Sequence, residues 1–147
     1  SSICAVKETT ESVQRLSEQV THNPSTAVLA GTNAQLLEAL SVGCSGAVAT
    51  LANVIPEPLV RVYELYHRGQ IPSAQSIQTR IVQVRNVLKS LGPDLQVYKK
   101  AASCLWNIPL GGMYPPQRPL TAEEERQIEQ EMLSLMSSLQ MDEIKNV

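Results

Sequence analysis

The sequence predicts an α/β chain whose first part forms a small parallel sheet and whose second part is helical. Two observations support this prediction. In the first 55 residues, short apolar runs alternate with segments whose apolar residues recur at helical spacing, in the order βαβαβ. After Asn53 the apolar pattern is helical throughout. Strands that are joined by helices pair in parallel, so the predicted sheet is parallel. Because the pattern changes along the chain, we divide it into a βαβαβ part, 1–70, and a helical region, 71–147.

The three predicted strands are short apolar runs that end at a lysine, a glycine or a polar residue. They lie near 3–7, 26–30 and 47–50, and the first ends at Lys7 and the second at Gly31. Parallel strands of this kind are usually covered on both faces, so the first strand is expected to be buried.

Two helices are predicted between these strands. Over 11–20 the apolar residues follow a three-then-four spacing, which marks one face of a helix. Asn33 can cap a second helix that extends to about residue 42.

The helical region begins after prolines and continues through segments that glycine and proline separate. Each predicted helix has its own start signal: Pro56 with Pro58, Ser73, Asp94, and a capping box formed by Thr121 and Glu124. The helices extend over about 56–68, 73–91, 94–106 and from 121 onward, the last with an apolar stripe at Ile128, Met132, Leu135 and Leu139. Four prolines and two glycines make 109–119 irregular.

Composition excludes several classes of function. A net charge of −2 gives no basic face for nucleic acid, and no apolar run reaches the length of a membrane span. Three scattered cysteines and two isolated histidines indicate neither a disulfide framework nor a metal site, and we expect no cofactor. These features suit a reducing compartment, cytoplasmic or mitochondrial, and not secretion. The chain opens abruptly with Ser-Ser, which suggests a piece of a longer protein.

Lys7 is the candidate for covalent chemistry. It ends an apolar strand, and ligands of parallel α/β folds bind at the carboxyl ends of strands. A lysine amine that is kept from water is neutral more easily and can attack a carbonyl carbon, and the resulting imine permits C–C cleavage beside a 2-oxo acid. The alternative is that Lys7 reaches solvent or pairs with Glu8 or Glu11.

Five motifs occur together in this chain: Ile-Cys-Ala-Val-Lys-Glu-Thr-Thr (3–10), Val-Leu-Ala-Gly-Thr-Asn (28–33), the glycine-bounded run 43–54, Gln-Val-Tyr-Lys-Lys-Ala-Ala (96–102) and Pro-Leu-Thr-Ala-Glu-Glu-Glu (119–125). Together they resemble the C-terminal half of the dihydrodipicolinate synthase/N-acetylneuraminate lyase family. The resemblance runs through essentially the whole chain. The stretch 51–54 resembles the 4-hydroxy-2-oxoglutarate aldolase branch slightly more than the bacterial synthases.

The resemblance implies a class I aldolase or lyase on a (β/α)₈ TIM barrel with a C-terminal helical extension, of which this chain would hold strands six to eight. Lys7 matches the lysine that forms the Schiff base, and Thr9 lies near the substrate. Gly31 approaches the keto acid through its backbone, and Val48 contacts the pyruvate moiety. From the residues alone, the favoured interpretations are a plain turn glycine for Gly31 and plain barrel core for Val48. The implied substrate is pyruvate or a related 2-oxo acid, and the implied assembly is a homo-oligomer, a dimer or tetramer.

The chain also departs from the family pattern. The family's carboxylate-binding motif and proton-relay tyrosine belong to strands before the lysine strand, and none of Tyr63, Tyr66, Tyr98 and Tyr114 matches that tyrosine. We therefore expect the chain alone to lack half an active site. The alternative is an inactive fragment or isoform that acts only by associating with another chain. A Rossmann-like nucleotide site is improbable, because the glycine-rich turn 43–46 precedes a strand instead of following one.

Overall fold

The computed structural model describes residues 2–138 and contains a three-stranded sheet followed by a group of packed helices. In chain order the elements are β1 (Ala5–Glu8), α1 (Val13–His22), β2 (Ala27–Ala30), a 3₁₀ turn (Asn33–Gln35), α2 (Leu36–Ser41), β3 (Gly46–Ala47), a second 3₁₀ turn (Thr50–Asn53), α3 (Pro56–His67), α4 (Ile71–Ser90), α5 (Asp94–Trp106) and α6 (Ala122–Ser138).

The sheet is parallel, with the order β1–β2–β3, as the βαβαβ pattern predicts. Lys7 stands opposite Leu29, and Leu29 stands opposite Gly46. The helical part after β3 is also as predicted, so the chain is a mixed α/β protein with a small parallel sheet.

Two expectations about the strands are wrong. β1 is exposed instead of buried, because it is an outer strand that pairs only with β2 among the described residues, and Val6 is 36% exposed. β3 spans only two residues instead of 47–50. The side-chain oxygen of Asn33 accepts a hydrogen bond from the backbone N–H of Leu51 at 2.8 Å, and the chain continues there into a 3₁₀ turn.

Several helix starts differ from the predicted ones. α1 begins at Val13, because the Ser12 hydroxyl accepts the Arg15 N–H at 3.2 Å and caps the helix there. α4 begins at Ile71, before Ser73, with a proline in the first turn, where a missing N–H costs nothing. Asp94 is the first residue of α5, and the residue in the cap position is Pro93. Asn33 does not cap a helix, because its side chain bonds to Leu51.

The capping box of α6 is confirmed. The Glu124 carboxylate accepts the Thr121 N–H at 2.7 Å, and the Thr121 hydroxyl accepts the Glu124 N–H at 3.2 Å. Hydrogen bonds from Arg118 are the main reason that the pKa of Glu124 is lowered to about 2. These contacts attach the end of the irregular 109–119 loop to α6. The predicted stripe residue Leu139 lies outside the described residues.

The larger of the two hydrophobic clusters is continuous across residue 70. It contains buried residues from the segment 36–65, such as Leu51 and Val62, together with Ile81, Leu88 and Ile128 from the helices that follow. A smaller cluster, including Leu16 and Val28, lies between α1 and the sheet. The division into 1–70 and 71–147 stays a prediction, and the two parts share one core.

Candidate active site

Lys7 and Gly31 lie side by side at the carboxyl end of the sheet. Gly31 follows β2 directly, and its N–H donates to the carbonyl of Glu8 at 2.9 Å. A Cβ on Gly31 would stand 2.9 Å from Cε of Lys7 and 2.9 Å from Cα of Thr9, and it would collide with the Thr9 hydroxyl. Because residue 31 has no side chain, Lys7 and Thr9 can both approach its backbone. A glycine that served only to form a turn would not need this space.

The carboxylates that could have paired with Lys7 pair with arginines instead. Glu8 contacts Arg15 at 3.2 Å, and Glu11 contacts Arg85 at 3.3 Å. Among the described residues Lys7 forms no ion pair, and its side chain is exposed. The amine is therefore open to a carbonyl compound that arrives from solvent.

Thr9 and Val48 lie at the same end of the sheet as Lys7. Thr9 follows β1, and its hydroxyl faces Gly31. Val48 follows β3, and its N–H donates to the Ala30 carbonyl at 2.9 Å. Val48 is 48% exposed, so in this chain it does not act as packed core. The structure brings Lys7, Thr9 and Gly31 into contact distance and places Val48 one strand beyond them.

A cleft of about 360 Å³ opens beside these residues. One wall comes from the loops that follow the strands and includes Thr9, Gly31 and Thr50, and the other wall comes from Arg85 and Lys89 of α4 with Leu95 and Tyr98 of α5. The helical part of the chain thus forms one side of the candidate site.

Two buried polar residues hold the α4 wall of the cleft against the loops that follow the strands. The sequence analysis did not identify this role. Gln78 of α4 is 1% exposed; its side chain donates to the carbonyl of Asn33 at 3.2 Å and accepts the Leu37 N–H at 3.4 Å. Asn33 in turn accepts the Leu51 N–H. The available signal was a glutamine within the apolar stripe of α4, between Ala74 and Ile81.

We expect Asn33→Ala to lower the free energy of unfolding by about 1–3 kcal/mol, because the buried Leu51 N–H would lose its acceptor. Urea denaturation followed by circular dichroism measures the change. The control is Asn53→Ala, which removes an exposed side-chain hydrogen bond to the Thr50 carbonyl and should cost less than about 0.5 kcal/mol. Equal losses in the two variants would contradict the assigned role of Asn33.

Other chemistry has little support in the part of the chain that the structure describes. Across residues 2–138, no group of three or more His, Cys, Asp or Glu side chains is arranged to hold a metal ion. Burial raises the pKa of the Cys44 and Cys104 thiols, which disfavours the reactive thiolate. None of the described helices has the length and apolar character needed to cross a bilayer.

Known proteins resemble this chain over most of its length. It is 33% identical over 133 residues to an uncharacterized DapA-like lyase of Halobacterium salinarum, covering 90% of this chain and 43% of that protein. It is 30% identical over 128 residues to 4-hydroxy-tetrahydrodipicolinate synthase 1 of Halalkalibacterium halodurans, covering 86% and 43%. N-acetylneuraminate lyase of Rattus norvegicus is 32% identical over 99 residues, covering 67% and 30%.

A solved structure matches the fold closely. The 2-keto-3-deoxygluconate (KDG) aldolase of Sulfolobus sulfataricus, in complex with D-KDPG, superposes with a TM-score of 0.86 at 26% identity, covering 95% of this chain and 47% of that one. The chain spans less than half the length of these relatives. A sequence model of the Dihydrodipicolinate synthetase family matches residues 1–135, and the chain therefore belongs to this family.

Proposed function

We propose that this chain supplies the imine-forming part of a class I aldolase or lyase that acts on pyruvate or a related 2-oxo acid. In this proposal β1, β2 and β3 are strands six to eight of a (β/α)₈ barrel, and α4 to α6 are its C-terminal extension. The parallel order of the three strands supports it, and so does the match to less than half of each relative.

The observation that carries the proposal is the position of Lys7 against Gly31 at the carboxyl end of the sheet. The lysine nitrogen attacks the carbonyl carbon of the 2-oxo acid and gives a carbinolamine. Loss of water from the carbinolamine gives the protonated imine. The bond between the carbons α and β to the imine then breaks: the hydroxyl on the β-carbon loses its proton to a base, the β-carbon leaves as the carbonyl carbon of an aldehyde or ketone, and the imine accepts the electron pair as an enamine. Protonation of the α-carbon and hydrolysis of the imine then release pyruvate and the free amine.

The neighbouring residues have roles that fit this chemistry. Because Gly31 has no side chain, a keto acid can approach the backbone next to the Lys7 amine. The Thr9 hydroxyl is a hydrogen-bond partner for the substrate on the same side. The half-exposed Val48 offers an apolar contact for the methyl end of pyruvate.

The names of the relatives support the proposed substrate class. A 4-hydroxy-tetrahydrodipicolinate synthase, an N-acetylneuraminate lyase and a KDG aldolase are among the proteins that the chain resembles. We propose a 4-hydroxy-2-oxoglutarate aldolase or a dihydrodipicolinate synthase-like reaction, in a homo-oligomer of two or four subunits.

Borohydride reduction with pyruvate tests the proposal. In a polypeptide that carries both halves of the barrel, reduction should leave a covalent adduct that mass spectrometry locates on Lys7. Lys7→Ala should abolish the adduct. Lys100 is an internal control, because the hydrogen bonds that it donates to the carboxylates of Glu129 and Glu125 raise its pKa and keep its amine protonated. An adduct that persists undiminished in Lys7→Ala would refute the assignment.

The open edges of the sheet favour a second function, which is association without catalysis. No described strand pairs with the free edge of β1 or of β3. Beside β3 lies a groove of about 390 Å³ with apolar residues such as Leu59, Val60 and Tyr63. Unpaired edges bind further strands readily. If the chain acts only in this way, a complete barrel will form no borohydride adduct with pyruvate, so the trapping experiment separates the two functions.

A further inference from the structure

A second cavity, of about 140 Å³, lies where α5, the 109–119 loop and the first turn of α6 meet. It is separate from the cleft beside Lys7, since none of the described residues lines both. Its volume corresponds to about five water molecules at ~30 Å³ each, so it suits one molecule of a few non-hydrogen atoms. Its wall includes Gln96 of α5, Gly111 and Gly112 of the loop, and Glu125 of α6.

Gln96 has hydrogen-bonding groups that the described protein does not use. The residue is 3% exposed, and neither the oxygen nor the nitrogen of its side-chain amide has a partner among the described residues. Buried polar groups are nearly always hydrogen-bonded, because an unpaired amide loses its interactions with water and gains none in return. The terminal torsion of a glutamine has broad minima, so the amide can turn toward the cavity. A molecule there that offers one donor and one acceptor would satisfy both atoms.

The charged groups at this wall already have partners. Lys100 contacts the carboxylate of Glu125 at 3.2 Å and that of Glu129 at 2.6 Å. Lys99 donates a hydrogen bond to the carbonyl of Gly112 at 2.6 Å. The two positive and two negative charges of these side chains cancel. A molecule with a net charge would therefore gain little at this wall, and the occupant that fits is neutral.

The loop side of the cavity is apolar and accessible. Met113 and Leu120 supply hydrocarbon surface to the lining. A Cβ built on Gly111 or on Gly112 would meet nothing within 4 Å, so there is space around this part of the loop. A small molecule can enter beside the two glycines and place its hydrocarbon part against the loop.

We propose that this cavity binds a small neutral molecule that carries an amide group, such as a lactam or a primary carboxamide. The nitrogen of Gln96 donates to the carbonyl oxygen of the ligand, and the oxygen of Gln96 accepts its N–H, as two amides do when they pair. The hydrocarbon part of the ligand packs against Met113 and Leu120. Binding links α5 to the 109–119 loop and stabilises the folded chain. It requires no chemistry at Lys7.

Titration of the 147-residue chain with 2-pyrrolidinone, followed by NMR shifts of backbone amides, tests the proposal. This small lactam presents its N–H and C=O on the same side. We expect saturable shifts at Gly111, Gly112 and Ser103, with a Kd of about 1–10 mM. The matched probe is γ-butyrolactone, in which an oxygen replaces the N–H. It should bind at least about tenfold more weakly, because the oxygen of Gln96 would again lack a donor.

Gln96→Met is the variant that removes the amide and keeps a side chain of similar shape. It should weaken lactam binding at least about tenfold and raise the melting temperature of the ligand-free chain by about 2–4 °C, since apolar atoms replace an unpaired buried amide. The control is Gln130→Met, at an exposed glutamine of α6 outside the described lining of the cavity. It should leave the affinity within about twofold of the wild type and the melting temperature within about 1 °C.

The expected pattern is specific, because Gln96→Met gains stability while it loses affinity, and damage to the fold cannot produce both changes. Lys7→Ala should bind the lactam as the wild type does, so a failure of the imine assignment is distinguishable from a failure of this proposal.

Four results would overturn the proposal. They are no saturable shift at about 100 mM lactam, equal affinity for the lactam and the lactone, undiminished lactam binding in Gln96→Met, and a crystal soaked with the lactam in which only water bonds to the Gln96 amide. The comparison of the two probes uses the wild-type chain alone, so it decides the question even if Gln96→Met fails to fold.

Discussion

Aldol cleavage by the 147 residues alone should be at least about 10⁴-fold slower than cleavage by a polypeptide that also carries the N-terminal half of the barrel. Lys7, the proposed nucleophile, lies on an outer strand of the described sheet, with its side chain exposed to water. The family resemblance assigns the proton-relay tyrosine and the carboxylate-binding motif to strands that precede β1. A positioned acid or base contributes about 10²–10⁴ in rate, and holding the keto acid in attack geometry contributes more.

The measurement is kcat/KM for a pyruvate-releasing substrate, with pyruvate followed by a coupled reductase. Both polypeptides are assayed beside the Lys7→Ala variant of the longer one, which defines the background. Supplying the N-terminal half as a separate fragment should restore part of the activity. A kcat/KM for the 147 residues comparable to that of the longer polypeptide would show that a full active site already lies within them.

Gly31→Ala should slow imine formation with pyruvate about 100-fold, the scale of loss expected when a reacting group is displaced by about 1 Å. The added methyl group would stand 2.9 Å from Cε of Lys7 and from the Thr9 backbone. Overpacking of this kind costs about 1–3 kcal/mol, and the Lys7 side chain can relieve it only by moving away. The rate of borohydride-trapped adduct formation measures the effect.

Gly112→Ala is the control for this prediction. A Cβ at residue 112 meets nothing within 4 Å, and the backbone there does not have a positive φ. Its rate of adduct formation should equal that of the wild type. If Gly31→Ala also reacts at the wild-type rate, Gly31 is a turn residue and does not shape the site.

The sequence was sufficient to predict the local features of the fold, because local features depend on neighbours in the chain. Apolar runs identified the three strands, and the spacing between Thr121 and Glu124 identified the capping box. Asn33 was misinterpreted for the same reason. The neighbouring residues predicted that Asn33 caps a helix, but its side chain accepts a hydrogen bond from the backbone N–H of Leu51, which is eighteen residues away.

The features that complete the site depend on distant pairs and could not be predicted. Gln78 reaches Asn33 across 45 residues, and Arg85 reaches Glu11 across 74. No periodicity or motif records such a pairing, because it exists only after α4 packs against the loops that follow the strands. The exposure of β1 could not be predicted for a related reason. The burial of a strand depends on which other parts of the protein cover it, and an apolar run in the sequence does not identify those parts.

The continuous core across residue 70 limits how this chain can be recombined with its relatives. Gly69 lies in a turn between α3 and α4 and would be a natural crossover point for building chimeras. A chimera joined there would pair Leu51 and Val62 from one parent with Ile81 and Leu88 from the other. Side chains that were not selected together leave cavities or clashes in such a core. In a library of chimeras, residues 36–135 should therefore be taken from a single parent.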